Sequence, residues 1–441
     1  MKATITVTVV GVLLALLSVI PTVRASFTDA TSNDGNTFQT RQPIRVTSYQ
    51  IGKNVFTGDT YNLQLEHDLS NDYFVILRGG AWDSNVSSSG GYPSSDYARV
   101  SGDPFGNLGT TTNGDILRLH RQTTDGPQGS QASWQGQVTV VESLDSTDTA
   151  GFRLLGVSSV GLTGTETTAS GTSPNGWTDI GRVGLYGGVY GGGVETTARG
   201  AKEHPSAWSR LWPSGSSTIN LLRRSKNSGN LAGDTRFTIY AVEWGDEWTI
   251  QRVLVDGSNG GNGANSTNEY TTASINPISR DSTFVLAYGN TWERGLGNGW
   301  EGQIFTLGDG VHQNATENRV AVGAHYSGSR HADVYVHTHP RLRVDYRFMA
   351  DGSIGRNDTT GTAMVDAQLG PESRSSGTIG VTAGLRFVVL SNASHGNGTW
   401  YPRPMVWARH TGDTQVTWYR SRSGQPGSYW LQSIDFGELW R

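Results

Sequence analysis

The chain has 441 residues, with 34 Lys and Arg against 38 Asp and Glu and no cysteine. This near balance of charge argues against nucleic acid and anionic membranes as partners, and the absence of cysteine excludes disulfides, reactive thiols and thiolate-bound zinc. A content of 59 Gly and 14 Trp, with few helix-forming runs, indicates a turn-rich all-β protein.

The first 25 residues have the layout of a secretory signal peptide. Lys2 precedes an apolar stretch over residues 9–20, and Val23-Arg24-Ala25 forms a small-residue cleavage site. The apolar stretch is shorter than the roughly 20 residues that a membrane span requires, and no later stretch approaches that length. We therefore expect export, with an extracellular or cell-surface location and no membrane span.

The segment 26–42 carries a Phe-x-Asp motif followed by Gly-Asn-Thr-Phe. The matching residues are Phe27, Asp29, Gly35, Asn36, Thr37 and Phe38. The segment resembles the opening of secreted fibre or matrix proteins of the camelysin and TasA type, and this resemblance implies a surface polymer whose N-terminal segment pairs with a neighbouring subunit. The polar composition fits a segment that becomes ordered when it adds to a sheet edge. An ordinary leader into the first sandwich is the alternative, and the residues themselves favour it.

An apolar residue followed by an acid recurs about every hundred residues. The marker pairs are Val141-Glu142, Val242-Glu243, Val344-Asp345 and Ile434-Asp435, at spacings of 101, 102 and 90. A period of this size matches one β-sandwich, so the sequence predicts tandem β-sandwich domains of jelly-roll or immunoglobulin-like type. Their expected ranges are 43–145, 146–246, 247–352 and a shorter 374–441. Chance similarity among Thr- and Val-rich strands, or closure of paired halves into two larger sandwiches, are the alternatives.

Short apolar runs that begin with Phe-Val predict buried central strands. They are Phe74 to Leu77, Phe284 to Ala287 and Phe387 to Leu390. A second pattern, apolar-apolar-Arg on alternate residues, ends at an arginine in the first, second and last units. The third unit matches it poorly, with Val334, Val336 and Thr338 in its place.

The recurring arginines precede the recurring acids by 21, 20 and 15 residues. We expect them to form scaffold ion pairs, which are worth little when exposed and are costly to break singly when buried. The expected pairs are Arg121 with Glu142, Arg223 with Glu243 and Arg420 with Asp435.

Three histidines form a candidate metal site. His337 and His339 are two residues apart, so in a strand they project from one face, and His331 or Asp333 lies along the same face to complete a ligand set. The alternative is that these histidines face solvent or line the rim of a domain.

Three acids lie beside two tryptophans in the run from Glu243 to Trp248. Glu243 and Glu247, next to Trp244 and Trp248, superficially resemble the paired acids and aromatic platform of a glycosidase. Because Glu243 occupies a position that recurs in other units, we favour a structural role for it and expect no catalytic residue.

Five tryptophans fall in Gly-, Asn- or Pro-containing segments. They are Trp82, Trp177, Trp292, Trp300 and Trp400. An exposed indole beside polar groups stacks on sugar rings, which makes Trp82, Trp292, Trp300 and Trp400 candidate polysaccharide-binding residues. The alternative is that these large side chains plug the open ends of sandwiches.

No cofactor is expected, although Asp256 and the segment 351–358 could supply oxygen ligands to calcium; turn chemistry explains both better. Repetition of a whole domain favours display over catalysis, because catalysis needs one asymmetric site. We therefore expect a secreted structural or adhesive protein of the cell surface, matrix or an appendage, which associates with itself or with other extracellular proteins. A carbohydrate-binding protein is the first alternative, and a glycoside-active enzyme is the second.

Overall fold

The chain divides into two compact units, residues 1–42 and 43–439. The computed structural model describes residues 32–33, 36–37, 43–56, 60–82, 97–100, 105, 114–122, 133–145, 149–163, 166–187, 209–223, 235–258, 269–293, 304–308, 316–324, 328–349, 360–364, 372–376, 379–394, 406–412, 414–420, 427–437 and 439. In the first unit, β1 (Ser32–Asn33) pairs antiparallel with β2 (Asn36–Thr37). Phe27 and Phe38 of the expected pairing segment lie outside the described residues. Within the described ranges, no helix is long and apolar enough to cross a membrane.

The second unit is all-β and contains four β-sandwich modules, each with six strands that we name A to F in chain order. Module 1 comprises β3 (Ile44–Phe56), β4 (Thr60–Gln64), β5 (Asp72–Trp82), β6 (Tyr97–Val100), β7 (Ile116–Gln122) and β8 (Ser133–Ser143). Module 2 comprises β9 (Phe152–Leu162), β10 (Thr168–Thr172), β11 (Val183–Gly187), β12 (Ser209–Ser214), β13 (Thr218–Arg223) and β14 (Thr235–Trp244).

The other two modules follow the same plan. Module 3 comprises β15 (Thr249–Ser258), β16 (Glu269–Ser279), β17 (Thr283–Glu293), β18 (Ile304–Leu307), β19 (Thr316–Ala324) and β20 (Gly328–Thr338). Module 4 comprises β21 (Arg343–Met349), β22 (Thr360–Met364), β25 (Arg386–Ser394), β26 (Val406–Gly412), β27 (Gln415–Arg420) and β28 (Gly427–Asp435). An additional hairpin, β23 (Glu372–Ser376) and β24 (Ile379–Gly384), is inserted between its strands B and C. Short 3₁₀ turns, Ile180–Arg182 and Arg280–Ser282, precede strand C in modules 2 and 3.

Every module has the same sheet order. Strand F lies between A and C in one sheet, strand E lies between B and D in the other, and all neighbours are antiparallel. Consequently the A–B, C–D and E–F connections leave one end of the module, which we name the loop end. The B–C and D–E connections and the linkers between modules lie at the opposite end, which we name the linker end.

The four modules close into a ring. Strand D of module 2 (β12) packs on strands C and F of module 3, strand D of module 3 (β18) packs on C and F of module 4, and strand D of module 1 (β6) packs on strand F of module 2. Strand D of module 4 (β26) packs in the same way on strands C and F of module 1. Because this head-to-tail contact returns to its starting module after four steps, it closes instead of extending.

The inserted hairpin joins the last module to the first. Strand β24 pairs antiparallel with β3, from Gly384 opposite Val46 to Ile379 opposite Ile51, so module 1 has a five-stranded sheet in the order β23-β24-β3-β8-β5. We name this hairpin the clasp. It belongs to module 4 by sequence, because only Leu385 separates β24 from β25, and it belongs to module 1 by pairing.

Two predicted boundaries need correction. Strand β21 pairs with β28, so module 4 begins at Arg343 rather than 374 and is complete, and module 3 ends at Thr338 rather than 352. The Val344-Asp345 marker therefore lies on strand A of module 4, where Val344 faces Ile434 of the next marker. The poor match of the third unit has the same origin, because the residues compared there lie on strand F and not on strand E.

The Phe-Val strands are buried, as predicted, but they are not central. Each is strand C, at the edge of its sheet, and F is the central strand. Phe74, Phe284 and Phe387 are each at most 2% exposed because strand D of another module, or the shared core at the linker ends, covers the edge. An edge strand can therefore have the continuous apolar sequence that is usual for a central strand.

The modules share one core. Buried residues of all four form a continuous cluster, and a smaller second cluster lies within module 4. At the linker ends, Phe74 stacks on Tyr186 of module 2 with ring centroids 4.0 Å apart, and Phe284 contacts Phe387 of module 4 at 5.8 Å. Trp248, in the linker after module 2, contacts both Phe284 and Phe436. The modules are thus repeats in sequence but parts of one folding unit.

Replacing Phe74 with Ala should destabilise the whole second unit by about 4 kcal/mol, because the substitution leaves a cavity among Tyr186, Phe152 and Trp244. Urea unfolding followed by tryptophan fluorescence and by circular dichroism should show one coincident, shifted transition. Ile180→Ala, at a position 48% exposed, is the control and should change stability by less than about 0.5 kcal/mol. Early unfolding of module 1 alone would contradict the shared core.

Candidate functional site

The acid of the first marker is the centre of a buried hydrogen-bond network. Glu142 is fully buried and accepts two hydrogen bonds from Arg45, from Nε to Oε2 at 2.8 Å and from Nη2 to Oε1 at 2.7 Å. His67 Nε2 lies 2.8 Å from Oε2, and the Ser70 backbone N–H donates to Oε1 at 2.9 Å. Burial raises the pKa of Glu142, but these hydrogen bonds outweigh it and lower the pKa to about 2. The carboxylate is therefore committed to holding strands A and F together.

Modules 2 and 4 repeat this arrangement with different donors. Glu243 accepts from Arg153 Nη2 at 2.9 Å, from both the backbone N–H and the hydroxyl of Thr178, and from the Asp179 N–H at 2.7 Å. These bonds hold its pKa below the ordinary value against the opposing effect of burial. Asp435 accepts from Arg386 Nε at 3.1 Å. The carboxylate of Glu243, like that of Glu142, is therefore surrounded by donors from its own module.

The structure pairs these acids with arginines other than those predicted. Arg121, Arg223 and Arg420 lie at the ends of strand E, at the loop end of their modules, whereas the acids end strand F at the linker end. A strand of about ten residues separates the two positions by roughly 30 Å. The regular spacing between the arginine and the acid therefore corresponds to the length of the E–F connection plus strand F. It does not indicate that the two residues are in contact.

In modules 1 and 2 the arginine that binds the acid has a local signal in the sequence, and module 4 shares this signal although Asp435 accepts from Arg386. An apolar-Arg-apolar tripeptide opens strand A in modules 1, 2 and 4, and its arginine lies directly opposite the acid in register. The opposed pairs are Arg45 with Glu142, Arg153 with Glu243 and Arg343 with Asp435. Module 3 has lost both members, since Thr249 and Thr283 face Thr338 instead, and the Thr283 and Thr338 hydroxyls lie 2.9 Å apart. A neutral hydroxyl pair therefore replaces the ion pair there.

His337 occupies the apolar marker position in module 3, next to Thr338. It is fully buried and stacks on Phe284 with centroids 4.3 Å apart and an interplanar angle of 3°. The indole N–H of Trp244 donates to the Tyr186 hydroxyl at 2.7 Å, and that hydroxyl lies 2.6 Å from His337 Nε2. The tyrosine hydroxyl accepts from the indole and still has its own proton to donate, which suits an unprotonated Nε2. Burial lowers the pKa of His337 to about 3, which agrees with a neutral ring.

Glu247, in the linker between modules 2 and 3, binds residues of the other two linkers. Its carboxylate accepts from the Thr149 hydroxyl at 2.6 Å in the linker before module 2, and from Arg341 Nη2 at 2.7 Å in the linker before module 4. His339 Nε2 lies 3.1 Å from the same carboxylate, while its Nδ1 accepts the Arg341 backbone N–H. We name these four residues the linker knot. Hydrogen bonds from Thr149 and Arg341 hold the pKa of Glu247 below its ordinary value.

His331 lies near the other end of the same strand, in a separate charged cluster. Arg210 of module 2 donates to Asp333 at 2.7 and 3.2 Å, and its Nη1 lies 3.1 Å from His331 Nε2. Asp256 lies 3.0 Å from His331 Nδ1, and Arg252 lies 3.3 Å from Asp333. Burial raises the pKa of Asp333 despite the two arginines. This cluster joins modules 2 and 3 at the D-to-F contact of the ring.

The candidate metal ligands are not brought together. His331 and His337 are six residues apart on β20, or about 20 Å, and His339 follows the strand in the linker knot. Among the described residues, no group of three or more His, Asp or Glu could hold a metal ion. All three histidines are at most 2% exposed, so the solvent-facing alternative is also wrong. His331 and His337 share one face of β20, but the length of the strand keeps them apart.

The candidate sugar-binding tryptophans share a position in the module. Trp82 ends strand C of module 1 and Trp292 lies at the end of strand C of module 3, while Trp300 and Trp400 belong to C–D connections. The side chains of the first two, and both of the others entirely, lie outside the described residues. Trp177, at the linker end of module 2, is 8% exposed and donates its indole N–H to Gly215 O at 2.7 Å. It is a plug and not a platform.

Of the possible calcium ligands, one is described by the structure and the other segment is not. Asp256 lies on β15 and contacts His331, and the segment 351–358 lies outside the described residues.

No family model, curated protein or solved structure matches the chain. The ionisable side chains described above bind strands, linkers and neighbouring modules to one another. Their hydrogen bonds and ion pairs hold the second unit together.

A double-mutant cycle should distinguish the observed ion pair from the predicted one. Arg45→Met and Glu142→Gln should show a coupling energy of about 1–2 kcal/mol, reduced by the partial exposure of Arg45. Arg121→Met and Glu142→Gln should be additive, because the two residues lie at opposite ends of the module. Both cycles are measured by urea unfolding of the folded second unit. Coupling in the second cycle and none in the first would reverse the assignment.

The free energy of unfolding should decrease as pH is lowered from about 6.5 to 5, which is above the range in which carboxylates titrate. Burial lowers the pKa of both His337 and His410 to about 3, whereas an unfolded histidine titrates near 6.5. The unfolded chain therefore binds protons first as pH falls, and each histidine costs about 1.4 kcal/mol per pH unit. His337→Gln should make this dependence shallower by that amount. An unchanged slope in the variant would show that His337 is not buried in its neutral form.

Proposed function

We propose that this chain is a secreted structural or adhesive protein that acts at the cell surface, in an extracellular matrix or in an appendage. The observation that carries the proposal is the closed ring of four equivalent modules, whose acids and histidines are used for internal cohesion. Catalysis needs one asymmetric site, whereas display needs several similar units held in fixed positions. Secretion rests on the signal-like first 25 residues, and the expected partners are copies of the chain or other extracellular proteins.

The direction of the loops supports display. The linker ends of all modules meet in the shared aromatic core and the linker knot, so the described strands A, C and E run away from it towards the loop end. These connections differ in length between modules, as the B–C and D–E connections also do. A rigid core with variable loops at equivalent positions is the usual design of a binding surface. The ring would present its loop ends to a partner several times over.

Polysaccharide is the second candidate partner. It is favoured because three of four modules carry tryptophan at the end of strand C or in the C–D connection, namely Trp82, Trp292, Trp300 and Trp400. Equivalent aromatic residues on a ring would suit a repeating sugar chain, since each weak stacking contact adds to the next. The glycosidase alternative is not favoured, because Glu243 and Glu247 are occupied by internal hydrogen bonds.

Negative-stain microscopy of the secreted protein tests the main proposal. Filaments, sheets or a coat on the producing cell are expected, and dispersed particles under all conditions would contradict a structural role. Deleting residues 26–42 and measuring light scattering separates assembly through the N-terminal segment from assembly through the ring. Loss of large species would assign assembly to that segment.

Pull-down on insoluble polysaccharide tests the second candidate. Saturable binding is expected to fall at least tenfold in Trp292→Ala and Trp400→Ala, because base or sugar stacking on an indole is worth about 1–3 kcal/mol. Trp177→Phe, at the buried plug, is the matched control and should bind as the parent does. Equal binding by all three variants would exclude a tryptophan platform. Hydrolysis that persists in Glu243→Gln and Glu247→Gln would exclude those acids as its catalysts.

A further inference from the structure

One junction of the ring differs from the other three. Modules 1 and 2, 2 and 3, and 3 and 4 are joined by the peptide linkers 144–151, 245–248 and 339–342. Module 4 meets module 1 with no linker, although strand D of one packs on strands C and F of the other as elsewhere. No peptide linker crosses this junction, so the two modules can separate there without remaining tethered to each other by a short linker.

The clasp is present at this junction alone. In modules 1 to 3, strand B runs to strand C without an inserted strand among the described residues, whereas module 4 inserts β23 and β24 there. Strand β24 then forms a continuous six-residue register with β3. Backbone pairing thus stands where a peptide linker would otherwise hold the modules together. Such pairing is a general mode of recognition, because main-chain hydrogen bonds accept any strand of suitable shape.

The clasp is covalently continuous with module 4 and only paired with module 1. Strand β24 continues into β25 through Leu385, and the Leu385 carbonyl accepts the Phe436 backbone N–H at 2.9 Å within module 4. If the junction opens, module 1 therefore exposes the edge of β3, and module 4 retains the hairpin that fits it. The two surfaces are different from each other and complementary, which defines a heterologous interface.

We propose that β3 is a strand-accepting surface and that its partner is the clasp of a second copy of this chain. Each open chain has one donor and one acceptor, so exchange produces head-to-tail assemblies or a closed ring of two chains. The contact within one chain has a high effective concentration, so closed single rings predominate in dilute solution and exchange increases with protein concentration. This inference rests on the proposed structural role and supplies a means of assembly for it.

Engineered disulfides can test the exchange cleanly, because the chain has no cysteine. Thr47 faces Ala383 and Ser48 faces Thr382 across the clasp. Adjacent antiparallel pairs alternate between closer and wider geometry, so one of these two pairs suits a disulfide. Thr47→Cys with Ala383→Cys, or Ser48→Cys with Thr382→Cys, should crosslink within one chain when dilute. Thr47→Cys with Ser373→Cys is the control, because β23 is one strand further away, about 10 Å from β3.

Exchange is then measured with the single variants. Chains with Thr47→Cys and tagged chains with Ala383→Cys, or the alternative pair, are mixed over a range of concentrations and oxidised. Mixed dimers should increase with concentration to at least five times the level in a mixture of Thr47→Cys and Ser373→Cys chains. A ring that is locked beforehand by its internal disulfide should form no exchanged assemblies.

Two outcomes would overturn the proposal. Mixed dimers that do not exceed the control, in protein whose internal disulfide forms readily, would show a permanently closed ring. If neither internal disulfide forms, the observed register between β24 and β3 is wrong. Neither outcome bears on adhesion through the loop ends, which the polysaccharide and microscopy experiments examine separately.

Discussion

The structure depends on burying the linker ends of four modules against one another. A six-stranded sandwich of about 100 residues has a small core, and this chain has no cysteine with which to reinforce it. Phe74, Tyr186, Phe284 and Phe387 instead extend each core into the next, and strand D of one module covers strand C of another. The ring is thus the means by which each module acquires enough buried apolar area to be stable.

Polar groups that enter this core follow from the same requirement. A buried carboxylate is costly unless donors surround it, and Glu142 has Arg45, His67 and the Ser70 N–H. The linker knot applies this rule between modules, because Glu247 binds donors from the linkers on either side. Such contacts fix the direction in which each linker leaves the core. They specify the ring geometry, while the apolar contacts supply most of the stabilisation.

The sequence predicted what depends on local pattern. Period-two apolar runs, glycine-rich turns and the recurring acids correctly indicated an all-β protein of sandwich modules, since strand sequence records which face is buried. The partners of those acids were predicted wrongly. Arg121 and Glu142 recur at a regular spacing along the chain, but they lie at opposite ends of a module. Ring closure had no local signal at all. It depends on contacts between strands about 100 or more residues apart, such as Arg210 with Asp333, and on a clasp that resembles an ordinary loop insertion.

Module 3 shows why repeated units can diverge without losing the ring. Its ion pair is replaced by Thr249, Thr283 and Thr338, and its marker valine or isoleucine is replaced by His337. Both changes follow from position, because this end of strand F lies against Tyr186 and Trp244 of module 2. A polar ring is acceptable there, since the tyrosine hydroxyl supplies the hydrogen bond that a buried imidazole requires. Module 3 shows that a module whose end is held by its neighbour can fold without an internal ion pair at this position. Position in the chain does not decide this, because module 2 is equally interior and has Arg153 with Glu243.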